Sequence, residues 1–212
     1  MDLVIRERAR LLSTMERVGG EAPTLCEGWD TTDLLRHLVI REYYPHLALT
    51  SRIPGKFTRG QRETKARLEE ADFGELLDEF RSGHQKYSPL QLSAVNKAFN
   101  TLEYVIHHED VRRAQEPQLG RILLDEEQKE IFSSLKVISQ LSFLKAPARI
   151  VLDAPGVGTT TVLASKRHDR SVAIIGAPLE LALFAFGREK YKLQFEGPED
   201  AVDAVTTMNS KS

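Results

Sequence analysis

The chain has 212 residues, enough for one or two domains with a sizeable core. Hydrophobic residues make up 41% and charged residues 28%, the balance of a globular protein rather than a disordered or fibrous one. Lys plus Arg number 29 against 31 Asp plus Glu, giving a net charge of −2, and no basic stripe with interleaved aromatics appears, so nucleic acid is not an expected partner.

The start, "MDLVIRERAR", meets charge within six residues and has no apolar core of the kind a signal peptide carries. The later apolar run "LALFAFG" is far too short to span a bilayer, so no membrane partner is expected. Cys26 is the single cysteine, so no internal disulfide can form, and a cytoplasmic location is the default expectation.

The first helix is expected over "VIRERARLLSTMERVGG", with Ile5, Leu12, Met15 and Val18 near one stripe and Gly19-Gly20 at its end. A second helix begins at Asp30, which can cap, with Asp33 three residues on and Trp29 and Leu34 at the flanking apolar positions. It runs through "TTDLLRHLVIREYY" to Pro45 or a little beyond. "IPGKFTRGQ" reads as a loop, and "FGELLDEFRSG" as a third helix ended by Gly83. A fourth starts near Ser93 and contains "TLEYVIHHEDVRRA", and "DEEQKEIFSSLKVISQLSFL" is a fifth. Helices with moderate loops suggest an antiparallel bundle.

The pattern changes near Ala146-Pro147. "ARIVLDA", "TTTVLAS" and "SVAIIG" are short, β-branched runs between turn residues and read as strands. "APLELALFAFG" reads as a helix with Pro178 in its first turn and Gly187 past its end; "KLQFEG" is a further strand and "PEDAVDAVTTM" a short helix. The expected class is α+β, with a helical domain over residues 1–145 and a small α+β domain over residues 146–212.

The segment Thr101–Ala114 mixes two histidines, three acids and two arginines with apolar residues. Helix positions i and i+4 lie about 5–6 Å apart on one face, and Glu103 and His107 have that spacing. His37 falls inside the apolar stripe of the second helix, between Leu34 and Leu38. Two facing helices can therefore bring His37, Glu103 and His107 to one point. Two imidazoles and a carboxylate suit zinc with a fourth position open, though Fe(II), Ni(II) or Mn(II) accept the same set.

Plainer readings exist for each residue. A histidine on an apolar face is often a satisfied core residue, and Glu103 with His107 can be a helix-surface pair. His108 lies about 100° around the helix from His107 and becomes the ligand if the rotation differs. Asp110 either takes the free ring N–H of His107 or is a surface acid. Glu109, Arg112 and Arg113 read as a solvated face. Cys26 has no histidine near it in sequence and reads as a packed small residue rather than a nucleophile. "HHEDVRR" lacks the second histidine of a zincin helix, and "GVGTTT" lacks the lysine of a phosphate-binding loop.

"LCEGWDTTDLLRHL" and "TLEYVIHHEDVRRA" together resemble the two metal-site segments of the DinB-like superfamily, most nearly the N-terminal domain of mycothiol-dependent maleylpyruvate isomerase. "VAIIGAPLELALFAFGR" looks like the C-terminal signature of that branch, which includes small metal-binding proteins of undetermined function. The resemblance implies an up-down four-helix bundle, a divalent metal held by His37, Glu103 and His107, and a low-molecular-weight thiol such as mycothiol as cofactor. It also implies that Arg188 stands near the active site, although an Arg after a helix end has a plain dipole explanation. Arg41, one turn after His37, either pairs with a carboxylate or meets an anionic group of thiol or substrate.

The expected function is a metal-dependent isomerase or thiol S-transferase acting on a small electrophile, with zinc and mycothiol as cofactors. The alternatives are a non-catalytic metal-binding or stress-response protein and a helical interaction module whose histidines cluster by accident.

Overall fold

A computed structural model of the chain describes residues 2–45, 47, 58–82 and 94–209. Among them are eight α-helices and a four-stranded mixed sheet, an α+β protein that is mostly helical. The helices are α1 Leu3–Val18, α2 Thr31–Tyr43, α3 Arg59–Glu70, α4 Phe73–Ser82, α5 Ala94–Ala114, α6 Asp125–Ser142, α7 Pro178–Ala185 and α8 Glu199–Asn209. The strands are β1 Arg149–Ala154, β2 Gly158–Thr161, β3 Ser171–Ile175 and β4 Gln194–Glu196. No helix among the described residues is long and apolar enough to cross a membrane.

The chain divides into two units, one of Met1–Glu7, Pro89–Ile106 and Gly120–Ser212, the other of Arg8–Ser88 and His107–Leu119. In the first, the sheet has the order β2-β1-β3-β4. β1 pairs antiparallel with β2 and parallel with β3, and β3 pairs antiparallel with β4. The alternation in β1 and β3 sends Ile150, Leu152, Val172 and Ile174 into a core with Ile131, Leu135 and Phe184 from the helices. β2 is shorter than expected: Leu163–Ser165 turn into a 3₁₀ segment, and Ser165 Oγ accepts from the Ile150 amide.

The second unit is helical. Asp30 caps α2 with a reciprocal pair of bonds, its side chain accepting from the Asp33 amide at 2.9 Å and its own amide donating to Asp33 at 3.4 Å. α2 ends at Tyr43, slightly before the expected Pro45. α2 packs on α4, burying Leu34, Leu35, Leu38 and Val39 with Leu76 and Phe80. Arg8 reaches this core from α1, its guanidinium 4.0 Å from the Phe80 ring centroid and bonded to Glu42 and Tyr43. Gly19 ends α1 with φ +85, and Gly20 lets the chain pass where a Cβ would stand 2.6 Å from Thr32 Oγ1 and 2.8 Å from Phe73.

Two expectations are corrected here. α1 buries Leu11 and Met15, while Ile5, assigned to the buried stripe, is exposed. The residues Arg59–Gln61 assigned to a loop open α3, a helix the sequence reading missed, because its one buried residue, Leu68, gives no apolar period. The rest of that loop, Ile53–Phe57, lies outside the described residues, as do Ser93 and Gly83 at the expected ends of two helices.

Candidate metal centre

The loop from Gly20 to Asp30 is held against the C-terminal half of α5 by main-chain bonds. The Leu25 amide donates to the Asp110 carbonyl at 3.0 Å, and Gln115 Nε2 donates to the Pro23 carbonyl at 3.0 Å. Thr24 Oγ1 accepts from the Cys26 amide at 3.1 Å and donates to the Trp29 carbonyl at 2.8 Å, closing the turn that carries Cys26. Thr31 donates both its amide and its hydroxyl to the Ala22 carbonyl. The loop thus delivers Cys26 and Trp29 together with the first turns of α2.

His37 lies two turns into α2, half-buried, with the Trp29 ring and the His107 ring each 5.3 Å away. His107 is 8% exposed, and its Nδ1 stands 2.9 Å from Asp110 Oδ2. Asp110 is fully buried, so the surface-acid alternative gives way to the partner role. With Nδ1 facing a carboxylate, a metal held by this ring would sit at Nε2.

The boundary between the two units falls within α5, and the helix runs unbroken through it, so Glu103 is held one helical turn from His107. Glu103 lies in the first unit, while His37 and His107 lie in the second. Of the three residues selected by spacing, His37 and His107 stand near each other within the second unit. His108, the alternative ligand, points elsewhere: its Nε2 is 2.9 Å from Thr14 Oγ1 on α1.

One expectation about this segment is overturned. Glu109 and Arg112 are not solvated; they are 1% and 7% exposed. Glu109 accepts from Arg112 Nη1 and from Arg113 Nε, each at 2.6 Å, and Arg112 Nη2 donates to the Leu119 carbonyl. A buried carboxylate tolerates the loss of water because two guanidinium groups replace it. Cys26, for which sequence offered no histidine, has one nearby in space. Its Sγ donates to Asp110 Oδ2 at 3.3 Å, and ligand atoms of Cys26, His107 and Asp110 fall within 4.8 Å of one another.

Arg41 sits in the last turn of α2, four residues after His37 and half-buried. Arg188 belongs to the other unit, where its amide bonds to the Leu183 carbonyl and its Nη1 to the Phe186 carbonyl at 2.8 Å, tying it to the end of α7. No protein-family model, curated protein or solved structure matches the chain.

Proposed function

We propose that the chain binds a divalent metal, zinc first among the candidates, through His37, Glu103 and His107. We further propose that it uses the metal to activate a small thiol, such as mycothiol, in an isomerase or S-transferase reaction on a small electrophile. The observation that supports this reading is the closeness of the His37 and His107 imidazoles, with His107 already fixed by a buried Asp110 and Glu103 one turn before it on the same helix. The donor set fits zinc: three protein ligands of the right types, with a fourth position open. A metal there would supply a site at which a thiol loses its proton at neutral pH.

The chain's own residues do the rest in this reading. His37 and His107 bind as neutral imidazoles, and Glu103 offsets part of the metal charge. Asp110 holds the His107 tautomer by accepting from Nδ1. Trp29 stands tilted beside His37, its ring centroid 5.3 Å away, as an apolar neighbour of that ligand. Arg41, one turn from His37, offers a fixed positive charge for an anionic group of the thiol or substrate. Arg188 takes a substrate role on the resemblance of its segment alone.

Elemental analysis of the purified chain tests the metal. His37→Ala should lose most of it and His108→Ala should keep it, since His108 bonds to Thr14 instead. Equal loss in both would end the ligand assignment. Calorimetric titration of the metal-loaded protein with mycothiol tests the thiol, with Arg41→Gln expected to weaken thiol binding at unchanged metal content. No binding at millimolar thiol would leave metal binding without turnover as the better account.

A further inference from the structure

The second ligand group of this region is absorbed by nothing above. Cys26, His107 and Asp110 all belong to one unit, and the turn that carries Cys26 is pinned to α5 by the Leu25–Asp110 main-chain bond. The thiol stands 3.3 Å from Asp110 Oδ2, and His107 Nδ1 stands 2.9 Å from the same oxygen. Tetrahedral zinc with bonds of about 2.0 Å to N and O and about 2.3 Å to S holds its ligand atoms about 3.3–3.5 Å apart. Two edges of the trio are thus within a few tenths of an ångström of coordination spacing, and the third is no longer than 4.8 Å. A thiolate, an imidazole and a carboxylate make a set that favours thiophilic ions.

We propose that Cys26, His107 and Asp110 form a second metal position, on the Nδ1 side of His107, that takes a thiophilic divalent ion such as Zn(II) or Cd(II). Binding there sends the Cys26 proton to solvent and moves the His107 ring proton from Nδ1 to Nε2. A neutral imidazole has one lone pair for a metal, so the two positions exclude each other: the ion sits on the His37–Glu103 side or on the Cys26–Asp110 side. The exclusion rests on the metal reading proposed above; the thiolate-containing position does not.

Co(II) is the probe, because a thiolate ligand gives a sulfur-to-cobalt charge-transfer band in the near ultraviolet. The His37→Ala/Glu103→Gln double variant of the full chain, which loses most of the metal held on purification, should still take up Co(II) added in excess and show that band. Adding Cys26→Ser should abolish the band and weaken binding by about tenfold or more, comparable to or beyond the loss of a supporting group. The wild-type chain should bind one Co(II), not two.

A folded double variant that binds no Co(II), or binds it without the band, overturns the second position. Two ions in the wild type overturn the exclusion. A wild-type band that His37→Ala leaves unchanged upholds the second position while removing the first. If the double variant does not fold, Cd(II) titration of wild type against Cys26→Ser decides. A thiolate-to-cadmium absorption confined to wild type upholds the proposal, and equal spectra refute it.

Discussion

Two stretches of the same unit carry similar charge and use it in opposite ways. α3, "RGQRETKARLEE", has a single buried residue, and its ion pairs lie on the surface: Arg59 with Glu63 at 2.8 Å and Lys65 with Glu69 at 3.3 Å, all four side chains substantially exposed. The segment His107–Arg113 has a comparable density of charge, yet Glu109, Asp110 and Arg112 are almost completely buried. Charge content therefore does not predict where a helix sits. What allows burial is a partner for each charge within the fold, and α5 provides them at i+3 and i+4: Asp110 for His107, and Arg112 and Arg113 for Glu109.

The sharpest way to break this comparison is to remove one buried partner. Glu109→Ala leaves Arg112 in a site built for an ion pair and should cost about 3–5 kcal/mol in denaturant unfolding. Glu63→Ala, which removes an exposed pair from α3, should change stability by no more than about 0.5 kcal/mol. Comparable costs for the two would mean that the α5 charges are hydrated like those of α3.

A smaller effect is expected at the centre itself. Asp110→Asn keeps the size of the side chain but removes the anionic acceptor for His107 Nδ1. Metal affinity should fall about 10–100-fold, measured by competition with a chelator. An unchanged affinity would show that helix packing alone orients the imidazole. Smaller still is Thr14→Val, which deletes the hydroxyl facing His108. It should cost about 0.5–1.5 kcal/mol and leave metal content untouched, since it acts on the histidine outside the proposed ligand set.

What the sequence made legible follows from range. The Asp30 cap, with Asp33 answering it, is a relation across three residues, and the structure has both bonds. Glu103 and His107 are a relation across four. His37 needed only its place in the stripe of α2 and the supposition that the two helices meet. The Cys26–Asp110 contact spans 84 residues and depends on where a loop is tied, which no local period encodes. The burial of Glu109 and Arg112 was hidden for a related reason: a charged residue reads as solvated until its partners are seen to share its buried face. α3 was missed because amphipathic period is the signal for a helix, and a helix with one buried residue has almost none.

A further small effect sharpens the surface side of the contrast. Glu79 on α4 accepts from Arg67 of α3 at 2.9 and 3.2 Å and from the Tyr44 hydroxyl at 2.6 Å. Partial burial alone would raise its carboxyl, but the bonds from Arg67 and Tyr44 outweigh that and hold it below its ordinary value of 4.5. A depressed carboxyl stabilises the fold above the unfolded value and loses that contribution as pH falls through the folded one. Wild type should therefore exceed Glu79→Gln by about 0.2–1 kcal/mol at neutral pH, and added salt should narrow the gap. The gap should begin to close as the pH drops below 4.5 and vanish once the folded carboxyl is protonated. Parallel unfolding curves of the two proteins across the acid range read this directly. A gap that widened in acid would mean that burial, not Arg67, governs Glu79. The α3–α4 network would then resemble the buried charges of α5 after all.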